Sequence, residues 1–261
     1  MLTDTLRESL KALKLSSMLA ECERLQADPS ARTLSAMEFL EHVVIHELRT
    51  RDARGIENRI HQAGFPEIHR LEEFDFKRIP DLDQPQIVEL HDGEWIRRGE
   101  NVVFCGGHGL GKTHLATSIG VAACEKGYKV LFKKADKLVL ELVEARDQSR
   151  VLAMRMRLQR VPLLIVDEIG YTPFEKEGGE LLHGVISDRY DARRSVIVTT
   201  NLEFGRWVEV FKSKEMTVAL LDRLTHRCEV VVMAGKSRRH EESLELQRRR
   251  RAKRGKEVVK S

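Results

Sequence analysis

The sequence predicts a three-layer α/β fold, with parallel strands sandwiched between helices, preceded by a small all-α domain. Three apolar runs predict it. Asn101-Val102-Val103-Phe104-Cys105 leads into a glycine-rich loop, Gly106 to Gly111, and then into a helical stretch from Leu115 to Ala123. Val161-Pro162-Leu163-Leu164-Ile165-Val166 ends in Asp167-Glu168, and Ser195-Val196-Ile197-Val198-Thr199-Thr200 ends in Asn201. Runs of branched residues without polar alternation suit parallel strands covered on both faces. Such strands present ligand-binding residues at their carboxyl ends, where these polar residues stand. Lys129-Val130-Leu131-Phe132 reads as a further strand, followed by a helix from Ala135 to Arg146.

Ahead of this core lie two amphipathic helical stretches. Thr5-Leu6-Arg7-Glu8 has the capping-box pattern, with Leu10 and Leu13 following at helical spacing. Ser35-Ala36-Met37-Glu38 repeats the pattern before Phe39, Val43 and Leu48, and Gly64 and Pro66 close the second stretch. The apolar faces have three partners open to them: each other, another protein, or the α/β core. Pro80 and Pro85 mark an extended linker. The expected domains are residues 1–68 (helical, interaction), 69–240 (α/β core) and 241–261 (basic tail, disordered or a frayed helix).

Gly106-Gly107-His108-Gly109-Leu110-Gly111-Lys112-Thr113 is the full G-x-x-x-x-G-K-[ST] phosphate loop. Its glycines let backbone N–H groups turn toward phosphate oxygens, and the helix opening at Lys112 adds its positive dipole end. Lys112 reaches the β- and γ-phosphates, and the Thr113 hydroxyl ligates Mg²⁺. Asp167 is the second magnesium-holding residue, acting through the ion's water shell. Glu168 is placed to orient and deprotonate an attacking water. Asn201 polarises the same water from the neighbouring strand. Together these motifs describe a nucleoside triphosphate hydrolase.

Composition narrows the rest. The 261 residues suffice for one α/β domain and a small helical one. Four cysteines, Cys22, Cys105, Cys124 and Cys228, have neither metal nor redox spacing, which points to reduced thiols and a cytoplasmic setting. No run has transmembrane length and no signal-peptide pattern opens the chain, so no membrane partner is expected. Neither a zinc-site spacing nor a Gly-x-Ser-x-Gly elbow is present. The net charge of +4 is unevenly spread: from Lys236 on there are 11 Lys/Arg against 4 Asp/Glu, leaving 34 against 37 before it. Such a tail can neutralise DNA phosphates or remain a solvated charge run.

Phosphate loop, Val-Asp-Glu strand and Thr-Asn strand in this order resemble the AAA+ ATPases. Gly111-Lys112-Thr113-His114-Leu115-Ala116, Asp167-Glu168-Ile169-Gly170-Tyr171 and Leu221-Asp222-Arg223-Leu224 resemble the branch that contains the transposition helper IstB and the helicase loader DnaC. Leu71-Glu72-Glu73-Phe74-Asp75-Phe76 is similar to the segment leading into that family's ATPase domain. The resemblance spans about residues 1–240. It implies ATP with Mg²⁺ as cofactors, and His114 beside the loop as a nucleotide-site residue. It implies that Arg223 completes the active site of the next subunit, and that Arg239 senses phosphate. In Gly235-Lys236-Ser237-Arg238-Arg239, however, Arg238 stands where the family usually has tyrosine. Similar proteins line a channel around DNA with extra helices ahead of the Val-Asp-Glu strand, which assigns DNA contacts to Arg146, Arg150, Arg155, Arg157 and Arg160; ordinary surface ion pairs are the competing role.

The function this implies is an ATPase that forms a ring or helical homo-oligomer on double-stranded DNA and delivers that target to a transposase. ATP hydrolysis would then release it. A DnaC-like loader of a replicative helicase and a nucleotide-gated adaptor with little turnover are the alternatives.

Overall fold

The computed structural model describes residues 2–235; the basic tail and Arg239 lie outside them. The chain forms two compact units that divide between Asn58 and Arg59.

The first unit contains α1 (Asp4–Ala12), α2 (Ser16–Ala27) and most of α3 (Ala36–Ala63). The expected cap at Thr5 is displaced: Thr3 caps α1, accepting from the Leu6 amide at 3.3 Å. Capping two residues earlier adds half a turn and places Asp4 at the positive end of the helix. At α3 the expected capping box forms reciprocally, Ser35 N–H to Glu38 at 2.7 Å and Glu38 N–H to Ser35 Oγ at 3.3 Å. Leu15 offers α2 no side-chain cap, and buried Glu47 of α3 supplies one by accepting the Met18 N–H at 2.7 Å. Cys22, Leu25 and Val43 form the unit's small core, with Phe39 against it. The helices thus cover part of each other's apolar faces, while Leu13 and Leu48 remain exposed. α3 stops at Ala63, before Gly64 in the left-handed region at φ 71°.

In the second unit come α4 (Gln84–Asp92), α5 (Glu94–Arg98), β1 (Asn101–Gly106), α6 (Lys112–Glu125) and β2 (Val130–Lys134). α7 (Ala135–Asp147), α8 (Val151–Arg160), β3 (Leu163–Ile169), α9 (Lys176–Asp191) and β4 (Ser195–Thr200) follow. α10 (Trp207–Phe211), α11 (Lys214–Thr225) and β5 (Cys228–Met233) complete it. The five strands form one parallel sheet in the order β2-β3-β4-β1-β5. Alternate strand residues feed opposite cores. Val102, Phe104, Leu163, Ile165 and Ile197 pack with α4–α6, and Val103, Leu164, Val166, Val196 and Val198 pack with α7–α11. Period-two alternation between two apolar layers is why the strands read as unbroken apolar runs.

The segment around Pro80 and Pro85 is not the extended linker its prolines suggest. Leu71–Glu73 and Phe76–Arg78 are 3₁₀ turns, and Ile79 and Leu82 are buried in the core. Pro85 sits in the first turn of α4, behind an Asp83 cap that accepts from Gln86 N–H at 3.2 Å. The first helical turn needs no proline N–H, so proline starts this helix.

Arg189, near the end of α9, is fully buried. Its guanidinium donates to the carbonyls of Leu158 (2.5 Å), Val161 (3.0 Å), Pro162 (3.2 Å) and Ser195 (2.5 Å). It therefore fastens the end of α8 and the starts of β3 and β4 to α9, and burial pulls its pKa down to about 9. Arg189→Met should strand these carbonyls without a donor. Each orphaned buried acceptor costs roughly 1–3 kcal/mol, so we expect a net loss of about 3 kcal/mol after local relaxation. Urea denaturation measures it, and an unchanged midpoint would refute the fastening role.

Candidate functional site

The loop between β1 and α6 is shaped by its glycines. Gly109 and Gly111 have φ of 73° and 84°, a region that strains residues with a Cβ. A Cβ at Gly111 would also meet the Phe74 ring at 2.7 Å. The α6 axis starts at this loop, so its first amide groups face the same cavity. Lys112 Nζ folds over the loop, donating to Gly106 O (2.8 Å) and Gly107 O (2.7 Å).

The cavity beside the loop, about 450 Å³, brings together His108, Gly109, Gly111, Lys112, Thr113 and His114 from the loop and α6. Asp167, Glu168 and Asn201 join them from the ends of β3 and β4. Leu110 is buried behind the loop. Most of the expected nucleotide and catalytic residues therefore converge. Thr113 Oγ1 donates to Asp167 Oδ1 at 2.9 Å, and Thr199 Oγ1 donates to the same oxygen at 2.6 Å. Burial raises the pKa of Asp167, opposed by those two hydroxyl donors. A hydroxyl and a carboxylate meeting beside the phosphate loop form a hard, oxygen-only donor pair, which fits Mg²⁺.

Glu168 has a left-handed backbone, φ 64°, and lies in a register shift between Val166 and Ile169 of β3. A bulge of this kind re-aims a side chain at the edge of a site. Its N–H donates to Thr199 Oγ1 at 2.8 Å, and its carboxylate accepts from Lys134 Nζ at 2.8 Å. That bond raises the pKa of Lys134. Asn201 Nδ2 lies 2.9 Å from His108 Nε2, and the Tyr171 ring stands edge-on to His108. His114 Nε2 is 3.1 Å from Arg70 O, and its ring stacks on His69 with centroids 4.2 Å apart.

Sequence reasoning missed Lys134 and the role of Thr199. Neither is announced by local spacing: Lys134 is the parallel register partner of Asp167, and Thr199 reaches Asp167 and Glu168 across the β3–β4 pairing. It also missed a spatial group that no spacing announces. One ligand atom each from His69, Glu73 and His114 lie within 4.8 Å of one another.

Arg223 does not line this cavity. It lies in the last turn of α11, where Nη1 contacts His183 Nε2 (3.0 Å) and Ser187 Oγ (2.9 Å) of α9. It shares a separate cleft with Asn101, Arg194 and Arg227, which lie at or just before the amino ends of β1, β4 and β5. The five arginines ahead of β3 divide. Arg146 pairs with Asp147 and Glu177, and Arg155 grips Asp188 with two nitrogens at 2.7 Å. Arg150, Arg157 and Arg160 are exposed and form no ion pair among the described residues. Among the cysteines, burial pushes the thiol of Cys124 up to about 11 and that of Cys228 up to about 12. None of the described helices is long and apolar enough to cross a membrane.

Residues 8–246 match the family described as IstB-like ATP binding protein. The chain is 35 % identical over 233 residues to an IS21 insertion-sequence ATP-binding protein of Pseudomonas aeruginosa, covering 89 % of this chain and 88 % of that one. It is equally identical, over 234 residues, to the IS232 counterpart of Bacillus thuringiensis subsp. berliner, covering 90 % and 93 %. In structure it is similar to the DnaC helicase loader, with a TM-score of 0.51 and 21 % identity over 57 % of this chain and 87 % of that one. It is also similar to the replication initiator DnaA bound to AMPPCP and single-stranded DNA, with a TM-score of 0.53 and 19 % identity over 64 % and 50 %. At such identities these neighbours speak for the AAA+ P-loop fold alone. With a phosphate loop built as the fold requires and a family match along most of its length, the chain belongs to the IstB-like ATP-binding proteins.

Proposed function

We propose that this ATP-binding protein hydrolyses ATP as a homo-oligomer on double-stranded DNA and delivers that DNA to the transposase of its own insertion sequence, with hydrolysis driving release. One observation carries the hydrolytic part: Lys112, Thr113, Asp167 and Glu168 line one cavity beside the phosphate loop. The transposition part is supported by relatives from insertion sequences that match nearly end to end at 35 % identity.

In this reading the loop amides and Lys112 hold the β- and γ-phosphates. Thr113 and Asp167 would hold Mg²⁺, which when bound neutralises phosphate charge. Glu168 takes a proton from the attacking water, and Asn201 orients that water from the next strand. The Lys134 ammonium fixes the Glu168 carboxylate at the cavity wall. Arg223 acts on the nucleotide of a neighbouring copy, where a guanidinium offsets charge in the transition state. Arg150, Arg157 and Arg160, exposed on and beside α8, meet DNA phosphates, while Arg146 and Arg155 serve chiefly as structural ion pairs. The basic tail adds affinity without reading sequence.

Lys112→Ala should lose ATP binding by roughly two orders of magnitude, because the ammonium is a main counter-charge to the phosphates. Titration with a fluorescent ATP analogue checks this, and unchanged affinity would count against the phosphate-loop assignment.

Glu168→Gln should keep ATP affinity while turnover falls by about 10²–10⁴-fold, the usual contribution of a general base. DNA-bound oligomers should then persist longer. Phosphate release near the wild-type rate would mean that another group prepares the water.

Arg223→Ala should bind ATP and fail to hydrolyse it. Mixing it with Glu168→Gln should restore part of the turnover, since some interfaces then pair an intact Glu168 with an intact Arg223. Absence of recovery in demonstrably mixed oligomers would contradict action between subunits.

A further inference from the structure

The rim of the nucleotide cavity holds a group of donors that the hydrolytic chemistry does not use. His69 and Glu73 come from the segment ahead of β1, Glu73 within the Leu71–Glu73 turn, and His114 from the first turn of α6. One ligand atom from each lies within 4.8 Å of the other two, and among the described residues no other three His, Cys, Asp or Glu side chains converge in this way. Both histidines line the cavity. Two imidazoles and a carboxylate suit Zn²⁺ or a related transition ion, whereas Mg²⁺ takes oxygen donors.

The surrounding groups orient all three. The Arg70 carbonyl lies 3.1 Å from His114 Nε2 and can only accept, so Nε2 carries the proton and Nδ1 is the electron-pair donor. The Arg70 N–H donates to Glu73 Oε2 at 3.1 Å, which fixes that carboxylate in the turn and leaves its second oxygen to reach an ion. The Arg70 guanidinium pairs with Glu125 instead, at 2.7 Å. Glu67 Oε2 lies 3.5 Å from His69 Nε2, while His69 Nδ1 faces Glu73 at 3.8 Å. An imidazole whose outer nitrogen meets a carbonyl or carboxylate, with the other nitrogen turned inward, is the arrangement that orients histidine ligands on metals.

We propose that His69, Glu73 and His114 form a binding site for a divalent transition ion, Zn²⁺ by its donor set, with water completing the coordination. The two rings stack 14° from parallel with centroids 4.2 Å apart. An ion needs both nitrogens directed at one point, so binding turns the His69 ring out of the stack about its side-chain bonds. The ion then joins the segment ahead of β1 to the first turn of α6. It holds in place the Phe74 ring, which packs edge-on to His114 and covers Gly111. The site uses neither Thr113 nor Asp167, so Mg²⁺ and the transition ion have separate ligands.

The test uses the full chain without nucleotide, in excess Mg²⁺, titrated with Zn²⁺ against a coloured chelator and with Co²⁺ as a spectroscopic probe. Wild type should take up one Zn²⁺ per chain that the excess Mg²⁺ does not displace, and Co²⁺ should give the visible bands of a four-coordinate centre. Zinc at about a hundred times its dissociation constant should raise the melting temperature by roughly 5 °C. His69→Ala and Glu73→Gln should each weaken zinc binding by at least about tenfold and lose most of that rise. Glu73→Gln keeps an oxygen for the Arg70 N–H, so without zinc it should melt as wild type does. A Glu73 that served only the turn would leave zinc affinity unchanged in this variant, and the site stands only if both variants weaken binding. Uptake by either variant as tight as by wild type would place the ion on other side chains and overturn the proposal. A wild type that binds no zinc, or that exchanges it for Mg²⁺ at equal concentration, would also overturn it, leaving His69 as an ordinary partner of Glu67 and Glu73.

Discussion

One buried oxygen, Asp167 Oδ1, organises the nucleotide cavity. It accepts hydroxyl protons from Thr113, at the first turn of α6, and from Thr199, near the end of β4. The phosphate-loop helix, the acidic strand and its neighbour are thereby referenced to a single atom. Thr199 passes this registration on, because its Oγ1 also accepts the Glu168 N–H. The left-handed backbone of Glu168 is thus held from both sides, by the preceding residue's carboxylate through Thr199 and by its own amide. A carboxylate so buried is costly without donors, and two hydroxyls supply them. The same pair of oxygens that closes the knot is the pair suited to a hard divalent cation.

The ion pair between Lys134 and Glu168 has a different weight. Both groups are about one-third exposed or more, at 40 % and 33 %, so the pair adds little to folding stability. Its effect is orientation. β2 and β3 are in parallel register with Lys134 opposite Asp167, and the bulge after Asp167 turns Glu168 back toward that lysine. A one-residue irregularity in a central strand therefore decides where the carboxylate points, which no count of apolar residues can reveal.

That limit explains what the sequence made legible. The strands were readable because each is buried on both faces, and the phosphate loop because its glycines and lysine have fixed spacing. Helix limits followed where one capping residue had no competitor, as at Ser35 with Glu38. At the first helix the capping-box pattern points to Thr5, and the structure caps at Thr3 instead, which gives a longer helix with Asp4 in its first turn. Lys134 and Thr199 needed strand order and register, which depend on pairing between distant segments. The split among the five arginines needed the carboxylates of α9, Glu177 and Asp188, which approach only after folding.

The prolines at 80 and 85 misled for a related reason: they mark irregular backbone, not exposed backbone. The segment from Leu71 to Leu82 is built against the nucleotide loop itself. Phe74 packs edge-on to Phe76 and to His114, and occupies the space that a Cβ on Gly111 would need. The glycine is thus required twice, once for its φ of 84° and once for the aromatic ring above it. His69 stacks on His114 from the same approach segment, and Arg70 O meets the His114 ring nitrogen. The segment thus touches His114 of α6 through two aromatic contacts and a polar one, and the phosphate loop itself at Gly111 through the Phe74 ring. The loop's conformation is therefore set as much by the chain that precedes β1 as by the loop's own glycines.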